Sequence, residues 1–399
     1  MKTVLMGLGY VGLPTAAIVA SKGIQVLGVD VNPEVVEKIN HGNIHILEPH
    51  LDKMVKSVVK NGKLSASLAP EEADAFFIAV PTPFKQNHRA DISFIESATR
   101  MVLPFLREGN LFVIESTSPV MTTEKIAGII FKERPELKEK LYIAYCPERV
   151  LPGNALYELE HNPRVIGGLN PESADKAAEF YAQFVQGELH KTNARTAEMC
   201  KLVENSSRDV QIAFANELSM ICHNVGINVW DLIKLASQHP RANILQPGCG
   251  VGGHCIAVDP WFIVSDFPEQ AQIIKRARET NDYKADWCVN RVLAACDDFS
   301  HKTDKYPTVA CMGLAFKPDI DDLRESPAKY ITSRIVSETQ ANVFVVEPNI
   351  KSHKTFNIVD PQEAYQKADI VAWLVRHKEF LNIPMDPDKI ELDFCGVRK

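Results

Sequence analysis

The chain has 399 residues, 45% of them hydrophobic, and a net charge of −7 from 44 basic and 51 acidic residues. That length exceeds one ordinary core and predicts two or three domains able to fold without disulfide staples. The charge balance leaves no cationic field for nucleic acid, and no apolar run approaches membrane-spanning length, so neither nucleic acid nor membrane is expected as a partner.

In chain order, "MKTVLMGLGY" enters a strand at once, so no signal peptide is expected. "KTVLMGLGYVGLPTAAIVASKG" reads as a buried strand, a Gly-rich turn and an Ala-rich helix, and "IQVLGVD" as the next strand, which makes a βαβ unit. Later apolar runs at 73–80, 110–116 and 141–147 alternate with helical stretches. They predict an α/β fold with a parallel, doubly wound sheet over residues 1–190. From Thr196 to about Val225 the apolar spacing is helical and free of proline. A second helix follows Asn228, whose side chain can cap it with Asp231 in the capping-box position, and a third covers "AQIIKRARETNDYKADWCVNRVLAAC". Residues 191–300 therefore form an all-helical segment, either a connector or a dimer surface. Residues 301–399 repeat the first domain faintly, with "TVACMGL", "VFVVEPN" and "ADIVAWLV" matching "TVLMGL", "VLGVDVNP" and "ADAFFIAV". A second Rossmann-like domain is predicted. Its glycine fingerprint is broken, since Gly313 is followed by Ala315 and Lys317, which points to a different anionic ligand at Lys317.

Gly7, Gly9 and Gly12, with Tyr10 and Val11 between the last two, make GxGxxG between strand and helix. The pattern gives a tight turn, bare backbone for a pyrophosphate and N–H groups aimed at it. Asp30 ends the next strand, where a carboxylate accepts ribose hydroxyls and repels a 2′-phosphate, so NAD is expected rather than NADP. Nine cysteines, odd in number and without a CxxC pair, argue against a disulfide framework or a zinc site. No metal is expected, and a reducing cytoplasm fits.

Lys201 and Asn205, four apart on the long helix, share one face and taken alone read equally as solvated surface. "GCGVGGHCIAVDPWF", residues 248–262, puts four glycines in six positions before His254, Cys255 and Asp259. Such glycine density lets backbone approach something closely, and the thiol beside it serves either packing or chemistry.

With "ESTSP" at 115, "CPERVLPG" at 146, "KLVEN" at 201, "GVGGHCIAVDPWF" at 250 and "GLAFKPDIDDLRESP" at 313, the chain resembles the UDP-glucose/GDP-mannose dehydrogenase family over its whole length. The resemblance implies a central domain that forms a homodimer, a UDP-sugar substrate, and oxidation of a C6 alcohol to a carboxylate by two successive NAD. "GGHCIAVDPWF" with "HPRANILQPG" before it is most similar to the branch acting on UDP-N-acetylmannosamine. By matching positions, Cys255 would be the nucleophile that forms a thiohemiacetal and then a thioester. Lys201 and Asn205 would stabilise the oxyanion, Asp259 would position a water or share a proton with Lys201, Thr117 would order a water, and Glu148 would be the hydrolytic base. Val80, Pro81, Thr82, Ser116, Thr117 and Arg324 match positions that line NAD. Glu148, Arg149, Val150, Lys201, Asn205, Asn243, Gly252 and Lys317 match substrate positions, and Arg241 matches an arginine given to the neighbouring subunit's site. Relatives that carry a second glutamate four residues after Glu148 have here Pro152, which puts a two-carboxylate mechanism in doubt. Cys249 reads as a packing residue, His254 as a packed or hydrogen-bonded histidine rather than a general base, and Asp319 and Asp321 as a solvated loop. The rivals are another UDP-sugar 6-dehydrogenase acting on UDP-N-acetylglucosamine or UDP-glucose, a two-electron hydroxyacid dehydrogenase, which needs no Cys255, and a binding module without chemistry.

Overall fold

Residues 1–83, 85, 88–150 and 153–399 are described by a computed structural model; Pro152 lies outside them. Eight strands, β1 (Lys2–Met6), β2 (Gln25–Val29), β3 (Leu64–Ser67), β4 (Ala75–Ile78), β5 (Leu111–Ile114), β6 (Tyr142–Tyr145), β7 (Arg164–Gly168) and β8 (Leu189–Asn193), form one sheet in the order β3-β2-β1-β4-β5-β6-β7-β8. The central strands are continuous apolar runs because helices cover both faces. Leu5, Phe77 and Val113 enter one core, and Val4, Phe76 and Phe112 the other. The expected doubly wound fold is present with one correction: β7 runs antiparallel to β6, while the remaining pairs are parallel. Its run "RVIGG" opens with an arginine and ends in two glycines, a weak strand signal beside "LFVI".

The chain divides into two compact units, residues 1–204 and 205–399. The helix Ala194–Val225 carries the backbone from one to the other. Between it and β9 (Thr308–Met312) no strand occurs among the described residues, only helices Val229–Ala236, Asp259–Asp266 and Gln272–Thr303. Asn228 caps the first of these, accepting from the N–H groups of Trp230 and Asp231 at 2.9 and 3.3 Å.

In the second unit, β9 with β10 (Asn342–Val346), β11 (Ile370–Trp373) and β12 (Ile390–Asp393) forms a parallel sheet in the order β10-β9-β11-β12. The central helix Gln272–Thr303 and the helix Pro327–Glu338 pack on one face through Cys288, Val292 and Ile331. The repeat of the first domain extends to one side chain. Glu347 follows β10 as Asp30 follows β2, and its carboxylate accepts from Leu314 and Ala315 at 2.8 and 2.9 Å. Here, however, the position is closed: Glu347 is buried and hydrogen-bonded by His377 Nε2 at 3.0 Å. Asp319 N–H donates to His377 Nδ1, so the expected solvated loop is pinned at that residue. Asp319, His377 and Glu379 bring ligand atoms within 4.8 Å of one another, but both His377 nitrogens are already engaged.

Burial alone would raise the Glu347 carboxyl, yet His377 and the N–H groups of Leu314 and Asn349 outweigh it and hold it at about 2. A depressed carboxylate stabilises the fold above its unfolded value and loses that contribution as pH falls through the folded one. Glu347→Gln should therefore cost roughly 3 kcal/mol at pH 7. In denaturant unfolding, the gap from the parent should close as pH falls from about 4.5 towards 2.

Candidate active site

The first cluster belongs to the unit 1–204 and lies where the strand order reverses between β1 and β4, at their C-terminal ends. Gly7 N–H donates to Val29 O at 2.7 Å, which ties the turn to β2. A Cβ on Gly12 would strike Gly7 O and Leu5, so glycine is required for the helix Gly12–Ser21 to start there. At Gly9 an added Cβ meets nothing within 4 Å, and the helix start has no side-chain cap. Open backbone over uncapped N–H groups fits a pyrophosphate. The Asp30 carboxylate accepts from Leu8 and Asn32 N–H, one per oxygen, at 3.0 and 2.9 Å, leaving lone pairs for a diol. Tyr10 is exposed and Val11 half-buried in the same turn. After β4, Val80 is half-buried, Pro81 exposed and Thr82 buried. Ser116 donates to Val80 O at 2.7 Å and so bridges the ends of β4 and β5, while Thr117 beside it is half-buried.

Three residues beyond β6, Glu148 is buried and accepts from Arg149 N–H at 2.6 Å and from Arg164 at 3.2 Å. The Arg149 guanidinium is engaged by Glu204 at 2.7 Å and by Pro163 O at 3.3 Å. Val150 is half-buried. Glu48 holds the start of the next helix, accepting from Gly153 and Ala155 N–H at 2.8 and 2.7 Å. Lys201 is half-buried on the helix Ala194–Val225.

The second cluster belongs to the unit 205–399. Asn205 donates to Asp259 Oδ2 at 2.6 Å, and Asp259, buried, opens the helix Asp259–Asp266, where its charge suits the helix dipole. Cys255 O receives the N–H of Asp259 at 2.8 Å, which sets the thiol immediately ahead of that helix; Cys255 is exposed. The glycine run has a partner that spacing did not reveal. A Cβ on Gly252 would lie 2.5 Å from Glu325 O and 2.7 Å from Phe316 Cβ, and Gly253 N–H donates to Arg324 O at 3.1 Å. The bare backbone thus meets the segment 316–327 of its own chain, which is the close approach that the glycine density signalled. Exposed Lys317 follows Phe316 and is carried to the Cys255 loop by that packing. Arg324 is bidentate with Asp322 at 2.7 to 3.0 Å, so its guanidinium is also engaged within the chain. Cys249 is buried and its thiol donates to Leu374 O at 3.2 Å, a packing role. Arg241, Asn243 and His254 are exposed.

Residues 1–185, 195–283 and 310–394 match the NAD-binding, central and UDP-binding domains of the UDP-glucose/GDP-mannose dehydrogenase family. The chain is 53% identical over 410 residues to UDP-N-acetyl-D-mannosamine dehydrogenase of Campylobacter jejuni, covering 99% of each. It belongs to this family. The NDP-N-acetyl-D-galactosaminuronic acid dehydrogenase of Ralstonia nicotianae is 50% identical over 407 residues, covering 98% of this chain and 95% of that protein. The solved UDP-D-ManNAc dehydrogenase of Pyrococcus horikoshii superposes with a TM-score of 0.91 at 36% identity, covering 100% of this chain and 96% of that one. As a UDP-glucose/GDP-mannose dehydrogenase family member the protein is an NAD-dependent nucleotide-sugar dehydrogenase with a UDP-binding C-terminal region. Among the described residues no helix is long and apolar enough to cross a membrane.

Asp30→Ala should weaken NAD and narrow its preference over NADP by about tenfold or more, since one charge–charge repulsion and two ribose hydrogen bonds go together. Paired KM determinations check this. Efficient use of NADP by the parent would overturn the assignment.

Proposed function

We propose that this chain oxidises the C6 alcohol of UDP-N-acetyl-D-mannosamine to UDP-N-acetyl-D-mannosaminuronate, consuming two NAD per sugar, through a thiohemiacetal and a thioester on Cys255. The observation that carries the chemistry is an exposed thiol fixed one turn before Asp259, which is itself bonded to Asn205. NAD, when bound in the Gly7–Gly12 cradle, supplies the hydride acceptor for both oxidations. Lys201 would stabilise the alkoxide and then the thiohemiacetal oxyanion by charge, with Asn205 donating a hydrogen bond. Asp259 would orient the Asn205 amide, Thr117 would order a water, and Glu148 would take a proton from the water that releases the acid. Gly252, Asn243 and Lys317 would contact the substrate, as would Arg241 contributed across a homodimer. The thiol requirement suits a reducing, cytoplasmic setting. On this reading residues 1–190 bind NAD, 191–300 join catalysis to dimerisation, and 301–399 bind the UDP moiety.

The choice of sugar is supported by the likeness to the C. jejuni enzyme; the R. nicotianae relative at 50% identity, named for an NDP-N-acetyl-D-galactosaminuronic acid, supports a nucleotide sugar of the N-acetylgalactosamine type as the second reading. A panel of UDP-sugars decides between them. The N-acetylmannosamine substrate should show kcat/KM at least about tenfold above its epimers, with two NADH formed per sugar. A preference for another epimer would overturn the substrate and leave the chemistry, whereas one NADH per sugar would favour a two-electron enzyme.

A further inference from the structure

Behind Glu148 lies a set of buried groups that the mechanism above does not use. Arg164, 4% exposed, donates from Nη1 to Glu148 Oε2 at 3.2 Å and from Nη2 to Leu159 O, and its guanidinium lies 5.3 Å from the centre of the Tyr181 ring. Tyr181, the last residue of the helix Pro171–Tyr181 and fully buried, donates its hydroxyl to Glu115 Oε1 at 2.6 Å. Glu115, 2% exposed at the end of β5, has no partner for Oε2 among the described residues. One guanidinium therefore stands against two buried carboxylates.

Two ionised carboxylates with one cation between them leave an uncompensated buried charge, which a protein relieves by keeping a proton. Glu115 is the group placed to hold it. Burial, and then the charge of Glu148, push its carboxyl up to about 7 against the opposing pull of Arg164 and the Tyr181 hydrogen bond. The other titratable neighbours stay neutral: burial raises the Cys146 thiol to about 12 and Tyr181 well above its usual range. Arg149, next to Glu148, is engaged by Glu204.

We propose that Glu115, acting through Tyr181 and Arg164, is a positioning residue for Glu148, and that the proton on Glu115 decides how much of the Arg164 charge Glu148 keeps. With Glu115 neutral, the guanidinium is matched to Glu148 alone and holds that carboxylate in place. When Glu115 ionises, the same guanidinium serves two anions, and its hold on Glu148 loosens towards the attacking water. The inference rests on Glu148 being the hydrolytic base.

The test separates the fast release of NADH, which reports oxidation, from the steady rate, which reports hydrolysis of the thioester, between pH 5 and 9. The parent should show an inflection near pH 7 in the steady rate. Glu115→Gln keeps an acceptor for Tyr181 and removes the titration, so this inflection should be lost while the burst keeps its pH profile. Tyr181→Phe removes a hydrogen bond that favours ionised Glu115 and should move the inflection to higher pH, which keeps the proposal testable where Glu115→Gln folds poorly. A purely structural role would lower both phases without moving the inflection, and that result overturns the proposal. Glu148→Gln is run alongside. If it gives no burst, the base assignment fails and this coupling with it; if it gives the burst while the Glu115 and Tyr181 variants keep the parent's inflection, only the coupling fails.

Discussion

Cys255→Ala should lower steady NADH production by at least ~10⁴-fold, because removing the nucleophile of a covalent mechanism leaves only binding and oxyanion stabilisation. The reason is chemical rather than structural. An aldehyde has no second hydride to give until something adds to its carbonyl, and the thiolate is the group assigned to add. Since Cys255 is exposed, the change opens no cavity, and unfolding in denaturant should stay within about 0.5 kcal/mol of the parent. NAD affinity should also hold, because the Gly7–Gly12 turn and Asp30 are untouched. Coupled measurement of NADH and uronate decides the matter. Two NADH per sugar at near-parental rate would remove Cys255 from the mechanism.

Glu148→Gln should slow steady turnover by roughly 10²–10⁴-fold, the usual worth of a general base, while sparing both oxidations. Both hydrides can leave before water must attack, so a base needed only for hydrolysis is separable in time. Glutamine keeps one carbonyl, so of the two anchors of the loop after β6, the Arg149 N–H on Oε1 and Arg164 on Oε2, one is retained. Mixing this variant with substrate and excess NAD should give a burst of about two NADH per site and a uronyl adduct on Cys255 by mass spectrometry. A slowed first oxidation, or steady turnover equal to the parent's, would move the base role to Asp259 or Lys201.

The βαβ start, the long helix and the second sheet were legible because each is written in local chemistry: continuous apolar strands, a Gly-rich turn, proline-free helical spacing, an Asn cap. What stayed hidden is long-range. β8, "LHKTN", and β3, "LSAS", are polar edge strands, so neither shows the apolar run by which buried strands are recognised. Arg164 was visible as a charge inside "NPRVIGG" and Glu115 as one ending "NLFVIES", but 49 residues separate them, and nothing local says that they share Tyr181 and Glu148. The glycines at 248–253 correctly signalled close approach, yet pattern alone could not tell a sugar from Phe316 and Glu325, which the structure places against Gly252.

The His377 imidazole on Glu347 has a kinetic corollary. The second Rossmann-like sheet has lost the open carboxylate on which a ribose could settle, so its fold similarity to the first supplies no second cradle. Under the proposed oxidation, with two hydride acceptors per sugar, the enzyme has to reload one seat in mid-reaction, with the half-oxidised sugar still aboard. Retention of the aldehyde must outlast the departure of the first reduced cofactor and the arrival of the next, which asks for tight hold on the nucleotide end of the substrate and fast exchange at the other. Adding an aldehyde trap such as a hydrazine during turnover should then intercept almost none of the flux, and raising NAD should shorten the pause between the two NADH released from each sugar.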